Sequence, residues 1–168
     1  MSLSMHTMSV GLFLPMLQNL DRILEKAEAH VAAKKIQPGV LENLRLIPDM
    51  LPFSRQVQFS CDFAKNGAAH LAGIEPPKFA DDEKSLADLR ARIAKTVDFL
   101  AGIPAAKFEG AETRHVVIPL RTRTLEMDGL PLLQKWTLPN FYFHVTTTYA
   151  LLRHIGVEIG KQDYLGSL

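Results

Sequence analysis

Cysteine is nearly absent from this 168-residue chain, with Cys61 the single one. An internal disulfide is therefore excluded, and so is a zinc cluster built from cysteines of one chain. The cysteine count fits a reducing cytoplasm. No apolar run reaches the roughly 18 residues of a membrane span. The first residues lack a basic stretch followed by an apolar core and a small-residue cleavage site. Charge of one sign is also missing: the formal net charge is +1, so the basic footprint of a nucleic-acid binder is not there. Gly-rich phosphate loops, Gly-x-Ser-x-Gly elbows and His-Glu-x-x-His helices are all absent. What remains is an ordinary globular composition, 47% hydrophobic and 22% charged, in a chain long enough for one domain with a sizeable core. Met5 and Met8 are alternative starts, so the first few residues are expected to be loosely ordered.

Apolar spacing predicts four long helices. The first spans about Thr7 to Lys34, with Phe13, Leu17, Leu20, Leu24, Ala27 and Val31 recurring every three or four residues. Pro15 predicts either a helix start or a kink near it, and Gln37-Pro-Gly39 a stop. Pro48 and Asp49 introduce the second helix, with Asp49 as N-cap and Pro52 in the first turn. Phe53, Val57, Ala64, Ala68 and Leu71 line its apolar face, and Gly73 and Pro76-Pro77 end it. The third starts near Ser85, where Ser85-x-x-Asp88 resembles a capping box. Leu86, Leu89, Ile93, Val97 and Leu100 form its stripe, closed by Gly102 and Pro104. From Phe108 to Trp136 the character changes. His115–Leu120 and Arg121–Leu125 favour extended chain and Asp128-Gly129 a turn, which predicts a short hairpin or irregular insertion with Pro119 at an edge. The fourth helix follows Thr137 and Pro139 and ends at Gly156. The tail, Lys161 to Gly166, is expected to pack back through Tyr164 and Leu165. Four such segments with modest connections argue for a mainly all-α, four-helix bundle.

The last helix holds the most informative residues. His144 sits among aromatic residues, and Asn140 lies one turn before it on the same face, suggesting an internal polar site. Gln56, Gln58 and Asp62 are candidates to face it from the second helix; for Gln58 and Asp62 an exposed position is the simpler reading. Tyr142 and Tyr149 can supply hydroxyls, or serve as core tyrosines with one hydrogen bond. Thr146, Thr147 and Thr148 can bond back to their own helix. Cys61 has no local thiolate-stabilising neighbour and reads as an inert buried thiol. His30, His70 and His154 lie near helix ends and are expected to touch solvent. Asp81, Asp82 and Glu83 precede a helix start, where negative charge is favoured.

Leu46-Ile-Pro-Asp-Met50, Arg55-Gln-Val-Gln58, Asp62-Phe-Ala-Lys65, Leu71-Ala-Gly73, Arg92-Ile93, Leu138-Pro-Asn-Phe-Tyr-Phe-His144 and Gly160-Lys-Gln-Asp-Tyr-Leu-Gly166 together resemble the domain-of-unknown-function family nineteen ninety-three. The likeness spans nearly the whole chain, and that family is similar to the DinB-like superfamily. The resemblance implies one DinB-like domain over residues 1–168, with an insertion between helices three and four, and a homodimer. It also implies where a metal would sit. DinB-like metal proteins carry one histidine on helix two and a pair four residues apart on helix four. By that resemblance the pair falls on Asn140 and His144, and the helix-two position on Gln58 or Gln56, so a single imidazole is left among amides. Zinc and nickel favour imidazole, thiolate or carboxylate ligands, which makes this a degenerate metal site. The leading expectation is a cytoplasmic small-molecule-binding protein with a polar pocket of His144, Asn140, Gln56, Gln58, Tyr142 and Tyr149. The alternatives are a metal-dependent thiol transferase or hydrolase and a non-catalytic dimeric interaction protein. No nucleic-acid or membrane partner is expected.

Overall fold

Each long helix has one apolar stripe to bury, and the fold is the arrangement that buries them together. A computed structural model of the chain describes residues 3–166. Met1, Ser2, Ser167 and Leu168, which the expected 1–168 domain includes, lie outside the described residues. The order is α1 (Met5–Met8), α2 (Val10–Lys34), α3 (Phe53–Ala72), α4 (Leu86–Ala101), β1 (His115–Pro119), β2 (Thr124–Asp128), α5 (Gly129–Leu132), α6 (Leu138–His154) and α7 (Lys161–Leu165). Helices α2, α3, α4 and α6 are the four bundle helices. α2 packs along α4, α3 packs along α6, and α3 and α4 join the two pairs. The predicted bundle with a small antiparallel hairpin before the last long helix is therefore the observed architecture. Phe13 and Phe141 meet edge-on at the centre, 4.9 Å apart, beside fully buried Leu17, Leu20, Phe53, Leu71 and Leu89.

Several boundaries differ from expectation. The first helical run breaks at Ser9, whose hydroxyl donates to the Met5 carbonyl at 2.6 Å. Pro15 lies inside α2, where it removes one backbone donor from the helix. The residues around Met5 are not loose: Ser4 caps α1 and Met5 is buried in the core. Asp49 is not the cap of α3. That helix starts at Phe53 behind Pro52, and its first amides donate to Leu44 and Glu42 carbonyls of the preceding turn, so no side-chain cap is needed. Asp128-Gly129 is not the hairpin turn. β1 and β2 pair with Pro119 opposite Thr124, so the chain reverses over Leu120–Arg123. Gly129 is buried instead, and a side chain there would collide with the Ala111 carbonyl. From Gly129 the chain is helical through α5 and a π-helical turn, Leu133–Thr137, directly into α6. In the tail, Tyr164 packs on the core and its carbonyl accepts from Asn19, whereas Leu165 is exposed.

Charge is buried as well as apolar surface. Arg92 of α4 is only 2% exposed. Its guanidinium donates to Asp62 of α3 at 2.9 Å and to Glu83 and the Ala80 carbonyl at 2.8 and 2.9 Å, with Asp81 at 3.1 Å. Lys65 pairs with Asp62, Arg55 pairs with Asp81, and Gln58 bridges Arg55 and Glu83. Three cations thus meet three carboxylates. Asp81 and Glu83, read as favouring a helix start, are instead the counter-ions that strap the α3–α4 connection across both helices. Gln58, read as exposed, is buried because it belongs to this cluster. Removing one partner of a buried pair leaves uncompensated charge and costs about 3–5 kcal/mol. Arg92→Ala is therefore expected to lower stability in urea denaturation by about that amount. Arg92→Lys should recover only part of the loss, because an ammonium lacks the planar fork. A loss below about 1 kcal/mol, the range of exposed pairs, would contradict this account of the cluster.

Candidate functional site

α3 carries a second stripe, beside its apolar one. Gln56, Phe59, Phe63, Asn66 and His70 recur every three or four residues and so share a face. Trp136 of the π-helical turn and Asn140 and His144 of α6 follow at four-residue spacing. His144 is 8% exposed. Its ring stacks on Phe59 and Phe63, with centroids 5.1 and 5.5 Å apart and near-parallel planes, and Phe143 meets it edge-on.

One hydrogen bond orients the imidazole. His144 Nδ1 lies 2.7 Å from Gln56 Oε1. Gln56 Nε2 donates to the Leu51 carbonyl at 2.9 Å, which directs the amide oxygen towards the histidine. Nδ1 must then carry the proton, and Nε2 keeps a free lone pair. Burial pushes the pKa of His144 down to about 4, so the ring is neutral at physiological pH.

The other expected site residues are distributed differently. Asn140 is not the partner of His144; it donates back to the Trp136 carbonyl at 2.7 Å. Gln56 holds the histidine, and Gln58 is taken up by Glu83 and Arg55. Tyr142 packs edge-on to Phe141, and Tyr149 meets Tyr164 of the tail. Asp62 is engaged by Arg92 and Lys65. Thr147 and Thr148 bond back to carbonyls one turn earlier. Cys61 is fully buried, and burial pushes its thiol up to about 12, leaving it inert as a nucleophile.

One open cleft lies beside His144, which is not among its lining residues. This cleft of about 290 Å³ is bordered by Phe59, Phe63, Asn66, His70 and Trp136, with Ile118–Leu120 of the hairpin along its rim. Phe59 and Phe63 present one side to this cleft and stack on His144. Gly67 sits at the base, where a side chain would collide with Thr137, so glycine lets α3 approach the start of α6. The spacing of Phe59, Phe63, Asn66 and His70 was the available signal for this cleft. The hairpin's contribution had none, because it comes from a segment more than forty residues away along the chain.

These residues do not fit a resident zinc or nickel ion. Among the described residues no three His, Cys, Asp or Glu side chains gather as a ligand set. The oxygen of Gln56 already accepts from His144, and the Asn140 amide nitrogen is bonded to the Trp136 carbonyl.

A family model, described as a domain of unknown function (DUF1993), matches residues 5–165. No curated protein matches the chain. Among solved structures, the chain is similar to a DinB family member protein from Shewanella denitrificans, determined at 1.83 Å. The two are 42% identical, with a TM-score of 0.90 over 97% of this chain and 92% of that one.

The histidine makes stability pH-dependent with a definite sign. Its folded pKa lies below the unfolded value, so its neutral form is favoured by folding. The contribution is complete above about pH 6.5 and is lost as pH falls towards 4. Wild type is expected to lose roughly 2 kcal/mol more than His144→Phe between pH 7 and pH 5, read from urea denaturation at each pH. Equal losses in the two proteins would contradict a buried neutral imidazole.

Proposed function

The chain belongs to the DUF1993 family and is DinB-like, and from that premise we propose that it is a small-molecule-binding protein whose ligand lies against the aromatic face shared by α3 and α6. This reading takes residues 1–168 as one DinB-like domain. The observation that carries it is the state of His144: neutral, oriented by Gln56, and stacked on the two rings that border the cleft. His144 does not itself border the cleft; fixed and neutral, it backs the Phe59 and Phe63 rings that do. Ligand sites are typically apolar clefts with a few placed polar groups, and this arrangement follows that pattern.

The rival reading is a metal-dependent thiol transferase or hydrolase, in which a bound metal would lower the pKa of a water or thiol. Elemental analysis separates the two. Protein purified without any metal-affinity step is expected to hold well under one zinc or nickel per chain. A stoichiometric metal that disappears in His144→Ala would replace the binding reading with the enzyme. In a fragment screen by thermal shift, His144→Ala should change the response to binders and His154→Ala should not.

A second reading rests on exposed apolar residues. Leu46, Ile47 and Leu51 of the α2–α3 connection and Phe143 of α6 are all exposed. Leu51 and Phe143 flank the Gln56–His144 pair, one through its carbonyl and the other through its ring. Such a surface suits isologous pairing of two copies. Sedimentation at micromolar concentration is expected to give twice the monomer mass, reduced towards monomer by Phe143→Glu. A strict monomer at high concentration would remove the dimer from this reading.

A further inference from the structure

Four side-chain groups that could hydrogen-bond border the aromatic cleft without a protein partner among the described residues. These are the Asn66 amide, the His70 imidazole, the Thr137 hydroxyl and the indole N–H of Trp136. Around them the lining is aromatic and apolar. Phe63 and Trp136 meet edge-on at 6.0 Å, Phe59 lies beside Phe63, and Ile118, Pro119 and Leu120 close the rim. Polar groups facing an aromatic slot are normally matched by the ligand, since groups left unpaired there weaken binding.

The electrostatics select among ligands. Asp62 is the one carboxylate bordering the cleft, and Arg92 and Lys65 already neutralise it. The cluster behind it balances Arg55, Lys65 and Arg92 against Asp62, Asp81 and Glu83. His70 is half-buried, and burial holds its pKa below the usual histidine value, so it adds no charge at neutral pH. An ionic ligand would therefore surrender its hydration shell without gaining a counter-charge. Size narrows the class further. A cavity of about 150 Å³ accommodates a benzene ring, and the cleft offers about 290 Å³.

We propose that this cleft is a binding site for an uncharged one- or two-ring heteroaromatic molecule, packed against Phe63 and Trp136, face-on to one ring and edge-on to the other, and hydrogen-bonded by Asn66 and His70. The inference rests on the binding reading above and specifies its ligand class and anchors. Asn66 is both donor and acceptor, and His70 supplies one of each, so the ligand carries a donor and an acceptor on the ring edge.

The test uses the full chain and indazole, which is neutral, bicyclic, and carries adjacent donor and acceptor nitrogens. Calorimetry at neutral pH measures affinity, and emission of Trp136, the single tryptophan, reports the place. Indazole is expected to bind with one site per chain and to shift Trp136 emission. Indene, the same two rings without polar atoms, should bind more weakly, as should benzoate and benzylamine. Asn66→Leu and His70→Leu, both at partly exposed positions, should each weaken indazole by about tenfold, the scale of one lost hydrogen bond, with unchanged circular dichroism. Indazole bound no better than indene, or undiminished in both variants, overturns the assignment. Binding of benzoate or benzylamine alone, with a Trp136 response, overturns the neutral-ligand class while leaving small-molecule binding intact. A broad fragment screen with no binder of any class overturns both.

Discussion

The buried ion cluster centred on Arg92 is the constraint on which the rest of this structure depends. A guanidinium at 2% exposure is tolerable only with carboxylates on several sides, and these come from α3 and from the strap before α4. The cluster therefore fixes more than a helix pair. Together with the buried apolar stripe of α3, it holds that helix in one rotation about its own axis, with Asp62 facing α4. With that rotation set, Phe59, Phe63, Asn66 and His70 turn towards α6 and the hairpin. The guanidinium of Arg55 also lies over the Phe59 ring, 4.8 Å from its centre, joining the charged side of α3 to the aromatic one.

The cluster and the cleft are coupled through Asp62. An unpaired carboxylate at the border would favour cationic ligands. Held by Arg92 and Lys65, Asp62 offers no unbalanced charge to the cleft. His144 follows the same logic by other means. Its charge is removed by burial, not by a counter-ion, and its orientation comes from Gln56. Beside the same aromatic rings, one group is thus neutral and the other is balanced by paired cations.

The bundle itself was legible because each long helix writes its buried face at regular spacing. Phe13, Leu17, Leu20, Leu24 and Ala27 in α2, and Leu86, Leu89, Ile93 and Leu100 in α4, are buried where the period places them. Boundaries were less legible where tertiary partners replace local signals. Phe53 begins α3 without a side-chain cap because backbone carbonyls from the previous turn accept its amides. Asp128-Gly129 carries strong local turn chemistry, yet the glycine is there for close approach to Ala111.

At the site, the sequence placed His144 on a helix among aromatic residues, with amides one turn away and on the second helix. It also determined that Phe59, Phe63, Asn66 and His70 share one face of one helix, because helical periodicity is local. Which amide reaches His144 was a tertiary decision. Gln56 and Gln58 are two residues apart and face different sides of α3, and the packing of that helix sends the first to His144 and the second to Glu83. The cleft too belongs to the tertiary structure, since its walls come from α3, the hairpin and the start of α6, segments far apart along the chain that share no sequence period.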